Sequence, residues 1–337
     1  MNIQQQRILV VGPAWVGDMV MAQSLFITLK KQNPEVVIDV LAPAWSLPLL
    51  SRMPEVNEAI ALPVSHGELA LGKRFRTGRL LRKHAYTQAL VIPRSYKAAL
   101  VPFFAGIPQR IGYRGELRYG VINDMRDLDK QVLTQTVQRQ VTLGLPDNAP
   151  QPPDIPYPKL DIDVKNQQQL LNDLELMQDK PTIGMMPGAE YGPAKQWPIA
   201  YYQQLARELN SAGFQVWVFG SEKEREIGAQ IASAGDAITN LCGTTRLEDV
   251  IDLVALCDKV VSNDSGLMHV ACATGRNVVA IYGSSSPAYT PPLSSNSEVI
   301  YRYLECSPCF KRNCPLGHTN CLTGIDVDTV FSAVKGR

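Results

Sequence analysis

The 337 residues exceed the length at which one hydrophobic core usually stops growing, so the chain is expected to form two domains. Hydrophobic residues make up 45% and charged residues 19%, as in ordinary folded proteins, and the net charge of +1 argues against broad nucleic-acid binding. The sequence lacks the run of roughly eighteen apolar residues that a membrane span needs. The apolar stretch in MNIQQQRILVVG is too short for a signal peptide and ends in a glycine turn. These features predict a cytoplasmic protein, with any membrane contact peripheral.

Short β-branched runs alternate with amphipathic stretches, the pattern of βαβ units around parallel sheets. In the first half, 7–12 (RILVVG) reads as a buried strand and 18–32 as a helix. Residues 36–42 and 89–93 read as further strands, and 97–106 as a helix stopped by Gly106. The segment 146–163 carries prolines at 146, 150, 152, 153, 156 and 158, which exclude it from helix interiors and central strands. It is the best linker candidate. The pattern then restarts. Strands are expected at 181–188, 214–220, 259–263 and 277–283, and helices at 199–213, 221–235, 247–257, 266–275 and 326–336. The fold class is therefore α/β, with two Rossmann-like domains. The divisions are 1–160, 161–325 and a C-terminal helix over 326–337.

In such sheets ligands bind at the carboxyl ends of strands, so the chemistry is sought in the strand-to-helix turns. The first turn is GPAWVGDM, 12–19. Its glycine spacing does not match a dinucleotide fingerprint. It presents Asp18 at a helix start, where a carboxylate either caps the helix or takes a proton from an incoming hydroxyl. The second is PGAEYGPAKQWP, 187–198, where Lys195 is either a solvated loop lysine or a cation that neutralises a diphosphate leaving group. The third, SNDSGLMH at 262–269, offers the N–H groups of Ser265 and Gly266 at a helix start as an anion site. Asp264 there either caps or holds sugar hydroxyls, and His269 is either a ligand or a satisfied half-buried histidine. In the fourth, FGSE at 219–222, Glu222 either accepts from ribose hydroxyls or partners the helix dipole.

Two further clusters stand out. Cys306, Cys309, Cys314 and Cys321, with His318 between the last two, fall within sixteen residues. That density suits a tetrahedral zinc or an iron–sulfur centre, or else reduced thiols in a folded loop. Cys242, Cys257 and Cys272 sit in apolar segments as small core residues. Arg94, Lys97, Arg110, Arg114 and Arg118 form a basic group that either grips an anionic acceptor or is solvated, with Glu116 and Asp124 as counter-charges.

Taken together, GPAWVGDMVM, LAPAW, LSRMPEV, ALVPFFAGIP, PGAEYGPAKQWP, NDSGLMHVA and YGSSSP resemble glycosyltransferase family 9, in the family's order, from about residue 7 to 292. The resemblance is to the branch that adds the second heptose to the lipopolysaccharide inner core. It implies a GT-B fold, with parallel sheets facing across a cleft. It also implies transfer of L-glycero-D-manno-heptose from ADP-heptose to heptosyl-Kdo–lipid A with anomeric inversion. On matching positions it implies Asp18 as the base and Lys195 as the residue meeting the donor's diphosphate or heptose. Asp264, Ser265, Gly266 and His269 match the donor signature, and Glu222 the acidic position near the ribose. Arg94, Lys97 and Arg114 are then expected at the acceptor. No cofactor is required, although a divalent cation could assist, and no nucleic-acid partner is expected. Members that add the first heptose carry a threonine pair before the lysine, where this chain has Glu190 and Tyr191. The resemblance assigns the cysteine-rich tail no role. The rival readings are a first-heptose transferase, a nucleotide-sugar epimerase on the same fold, and a metal- or redox-sensing protein built on the cysteines.

Overall fold

The computed structural model describes residues 5–64 and 67–336. The chain divides into two compact units, Met1–Pro158 and Lys159–Arg337. Each contains one six-stranded, wholly parallel sheet.

The first sheet comprises β1 (Arg7–Val11), β2 (Val37–Ala42), β3 (Glu58–Ala61), β4 (Gln88–Val91), β5 (Gln109–Tyr113) and β6 (Asp124–Arg126). Its order is β3-β2-β1-β4-β5-β6, which reverses direction between β1 and β4. β1 is central, and its Ile8, Leu9, Val10 and Val11 are all buried. This is why it reads as a continuous apolar run instead of an alternating one. The helix Val16–Gln32 follows it and packs against the helix Thr136–Leu143. Gln140 Nε2 donates to the Asp18 carbonyl at 3.1 Å, tying these two helices at the carboxyl end of β1. The segment expected as a helix over 97–106 forms a 3-10 turn, Tyr96–Ala99, and then the helix Leu100–Ala105. Gly106 ends it at φ 73°, a left-handed conformation in which a Cβ is strained.

No helix or strand occurs in 146–163, and Asp163 caps the next helix, Val164–Asp173, by accepting from the N–H groups of Lys165 and Asn166.

The second sheet comprises β7 (Thr182–Met186), β8 (Gln215–Val218), β9 (Ile238–Asn240), β10 (Lys259–Asn263), β11 (Asn277–Tyr282) and β12 (Ser297–Tyr301). Its order, β12-β11-β10-β7-β8-β9, repeats the first sheet's order within its own numbering and reverses between β7 and β10. Both faces are covered. One carries Trp197, Tyr202, Leu205 and Leu209, the other Trp217, Phe219, Leu253 and Met268. The closing helix Val327–Lys335 belongs to the first of these layers through Val327, Val330, Ala333 and Val334. Among the described residues no helix is long and apolar enough to cross a membrane.

Candidate active site

The order of the second sheet reverses between β7 and β10, so a crevice opens beyond their carboxyl ends. Asn263, the last residue of β10, is fully buried there and binds both ends of the 187–198 loop and the helix that follows it. Its Oδ1 accepts from the Trp197 N–H at 3.0 Å and the Tyr202 hydroxyl at 3.2 Å, while its Nδ2 donates to the Pro187 carbonyl at 2.7 Å. This side chain fixes the 187–198 loop to the strand beside it. The sequence reading assigned Asn263 no role, because these contacts join residues more than sixty positions apart.

The fixed loop ends in the 3-10 turn Pro193–Lys195, and the Lys195 ammonium meets Asp264 Oδ2 at 2.5 Å. Asp264 is 4% exposed and Lys195 17%, so the carboxylate is sealed while the cation still reaches the crevice. Tyr191 lies beneath, its ring centroid 5.2 Å from Lys195 Nζ. Lys195 is therefore a held cation and not a solvated loop lysine. Asp264 is likewise not the cap of the following helix, Gly266–Ala273: that role falls to Ser265, whose Oγ accepts from the Met268 N–H. Gly266 is the first helical residue, where the free N–H groups of the turn favour an anion.

His269 lies one turn into that helix and is buried. Burial pushes its pKa down to about 4, the Lys195 charge adding to this and the Asp264 charge opposing it. The imidazole is thus neutral at physiological pH, and its Nδ1 is buried with no hydrogen-bond partner in the protein. Ser284 Oγ and Ser285 Oγ, in the turn after β11, are also buried and unpartnered. Buried polar atoms normally find partners, and these three are available to a ligand's polar groups. The serines follow an apolar strand in the run SSS, within the YGSSSP motif.

Glu222 is placed less tightly. It is 70% exposed and ion-paired with Arg225 at 2.6 Å. Glu224 is the acidic side chain turned toward Gly188, at the end of β7, and it also accepts from the Ser221 N–H and hydroxyl.

In the first sheet the corresponding crevice lies beyond β1 and β4. Asp18 is the third residue of the helix that follows β1, and it is half-buried. The N-cap is Trp15, which makes no side-chain cap, so the carboxylate is a first-turn partner of the helix dipole and not its cap. β4 leads to Arg94, which lies at the same end of the sheet.

The basic group divides. Arg118 is fully buried, donating through Nε and Nη2 to the Tyr113 carbonyl and through Nη1 to the Pro93 carbonyl, and burial lowers its pKa to about 10. Arg110 donates to the carbonyls of Val121, Ile107 and Gly120. Both shape the turns between strands and have no free face for an acceptor. Arg94 spends Nε and Nη2 on the Arg114 carbonyl but stays exposed. The counter-charge of Arg114 is Asp127, at 2.7 Å, instead of Glu116 or Asp124. Glu116 accepts from the Tyr96 N–H, and Asp124 lies beside Arg126. Lys97 has no ion-pair partner among the described residues.

Asp39, Glu58 and His84 bring their ligand-type atoms within 4.8 Å of one another. Asp39 is fully buried and already saturated. It accepts from Arg7 at 3.2 Å, the Tyr86 hydroxyl at 2.7 Å and Asn57 at 2.7 Å. It pairs with Leu9, the middle residue of β1, and with Glu58, the first of β3, so it does not reach the crevice at the carboxyl ends. This group braces the sheet.

Two doubly wound sheets, with a paired lysine at a helix start in one and a first-turn carboxylate in the other, describe a glycosyltransferase of the GT-B kind. Residues 74–320 match the family described as glycosyltransferase family 9 (heptosyltransferase), and the chain belongs to that family. It is 49% identical over 306 residues to lipopolysaccharide heptosyltransferase 2 of Salmonella typhimurium and 48% identical to that of Escherichia coli K12, with 87% of each chain covered in both cases. The structure of E. coli ADP-heptose lps heptosyltransferase II superposes with a TM-score of 0.87 and 42% identity, over 98% of both chains.

Proposed function

We propose that this enzyme transfers L-glycero-D-manno-heptose from ADP-heptose to a heptosyl-Kdo–lipid A acceptor, adding the second heptose of the inner core. The observation that carries this reading is the Lys195–Asp264 pair, set beside the anion-favouring start of the helix Gly266–Ala273. Asp18 removes the proton from the acceptor hydroxyl, whose oxygen attacks the anomeric carbon from the face opposite ADP. The bond from that carbon to the diphosphate oxygen breaks, and the configuration inverts. Lys195 and the helix N–H groups neutralise the departing diphosphate without needing a metal. His269 Nδ1, Ser284 and Ser285 meet the donor's polar groups, with Glu222 or Glu224 at its ribose. Arg94, Lys97 and Arg114 meet the acceptor's Kdo carboxylates and phosphates. The identity with lipopolysaccharide heptosyltransferase 2 across most of both chains supports the assignment.

The acceptor is a lipid, and one helix suits a membrane surface. Leu71–Leu81 carries Lys73, Arg76 and Arg79 and no acidic residue, and exposes Leu71, Phe75 and Leu80. Basic and apolar side chains on one short helix are what an anionic leaflet attracts.

The test is mass-spectrometric detection of heptose transfer to acceptors carrying zero, one or two heptoses. Transfer to the one-heptose acceptor is expected. Preference for the acceptor lacking heptose would move the enzyme to the first addition, and isomerised sugar from donor alone would make it an epimerase. Sedimentation with vesicles, with and without anionic lipid, tests the membrane contact.

A further inference from the structure

Between β12 and the short helix Asn320–Thr323, residues 302–319 form neither helix nor strand, and no residue from 301 to 320 is buried. Eighteen residues without a core of their own cannot offset the conformational entropy of being ordered, so another bond is expected to hold them. Cys306, Cys309, Cys314 and Cys321 all face one small cavity, with Ala194, Ser284, Pro315, Leu316, His318 and Thr319 completing its lining.

The cavity volume is about 20 Å³, room for one atom-sized guest. The chain turns at Gly317, φ 72°, where the Gly317 N–H donates to the Cys314 carbonyl at 3.2 Å. His318 Nδ1 accepts from the Asn320 N–H at 3.0 Å, so that nitrogen is already engaged.

We infer that Cys306, Cys309, Cys314 and Cys321 form a tetrahedral four-thiolate site for one divalent zinc or iron ion, which pins the 302–319 loop. Both ions accept such a ligand set. An ion held by all four cysteines ties both ends of the loop to one point, so loop order is coupled to occupancy.

The loop so pinned is the floor of the Lys195 turn. Arg312 O accepts from the Ala194 N–H at 3.0 Å, the Tyr191 hydroxyl donates to Phe310 O at 2.8 Å, and the Phe310 N–H donates to Ser284 O at 2.7 Å. At Gly192, φ 151°, a Cβ would lie 2.6 Å from Arg312 O, so the two backbones meet where no side chain fits. The ion is therefore a positioning device for Lys195. That last step rests on the donor role proposed for Lys195, whereas the ion site does not.

Full-length protein purified under reducing conditions is analysed for bound metal by native and elemental mass spectrometry. Metal-free protein is then titrated with Co²⁺ and back-titrated with Zn²⁺ or Fe²⁺. One ion per chain is expected, with thiolate-to-cobalt charge-transfer and tetrahedral d–d bands saturating at one equivalent. Cys309→Ser and the double variant Cys309→Ser/Cys314→Ser should lose stoichiometric binding with an unchanged far-UV circular dichroism spectrum. Cys272→Ser, which alters a buried thiol elsewhere, should keep it. Limited proteolysis should cut within 302–319 only when the ion is removed. Folded, reduced protein that takes up no ion would overturn the site, as would equal uptake by the cysteine variants or a disulfide among the four in peptide mapping. Identical cleavage with and without metal would overturn the pinning. These readouts involve no heptose transfer, so they fail or succeed independently of the transferase reading.

Discussion

The Lys195 ammonium and the Asp264 carboxylate meet at 2.5 Å, with the carboxylate almost sealed from water and the cation open on one side. The pair is asymmetric, and its two members should respond differently to substitution. Lys195→Met strands a buried carboxylate and should cost about 3 kcal/mol of stability, the usual penalty for an uncompensated buried charge. The double variant Lys195→Met/Asp264→Asn should regain most of that in urea unfolding. Turnover should stay about 10²- to 10³-fold down in both, since neither restores the cation proposed to face the diphosphate. Activity returning together with stability in the double variant would remove Lys195 from the chemistry.

Asp18 is expected to behave in the opposite way. It is half-buried in the first turn of its helix, and Asn keeps its shape while removing its charge. Asp18→Asn should lower kcat by about 10²- to 10⁴-fold, the range for loss of a general base. The melting temperature and the affinity for ADP should hardly move. Calorimetric titration with ADP, alongside steady-state kinetics, separates these; a modest effect on kcat refutes the base role.

Asn263 is a structural prediction. Its replacement by Ala leaves the Trp197 N–H, the Tyr202 hydroxyl and the Pro187 carbonyl without their partner in a dry interior. Destabilisation of about 3 to 5 kcal/mol is expected, because each stranded group costs roughly 1 to 3 kcal/mol. Asn263→Asp loses the donor and adds an unpaired charge in the dry interior, so equilibrium unfolding should find it at least as destabilised as Ala.

His269 gives the protein a dependence on acid. Its folded pKa is lowered to about 4 by burial, below the 6.5 of a free imidazole. Above pH 6.5 both states are neutral and burial has no proton-linked cost. As pH falls from 6.5 to 4 the unfolded chain takes up a proton that the native site refuses, so stability drops, and it levels off below 4. The shift corresponds to about 3 kcal/mol across that window. Subtracting the pH profile of His269→Gln from that of wild type isolates the contribution, and a flat difference between pH 7 and 4.5 contradicts it.

What could be read from the sequence follows how local each signal is. β1, β7 and β10 are short buried runs that lead into glycine-, proline- or serine-bearing turns holding Asp18, Lys195 and Asp264, so local pattern suffices. β3 is four half-exposed residues, EAIA, at a sheet edge, and β6 is three residues, DMR. Only pairing with a neighbouring strand makes them strands, and their own residues do not announce it. The basic group shows the converse failure. Arg110 and Arg118 look like Arg94 and Arg114 in composition, but their guanidinium groups are used up by main-chain carbonyls that belong to distant turns. The cysteines were conspicuous from spacing alone, and it took coordinates to put their loop under Lys195.

Each sheet changes the direction of its strand order once, and does so at the equivalent place. One polypeptide therefore owns two mouths of the same design. On the roles proposed for them, residues around Arg94 and Arg114 could drift to suit another saccharide while the nucleotide end is left untouched. Chimeras that exchange the halves of related enzymes at the proline-rich connector offer a direct route to new sugar pairings.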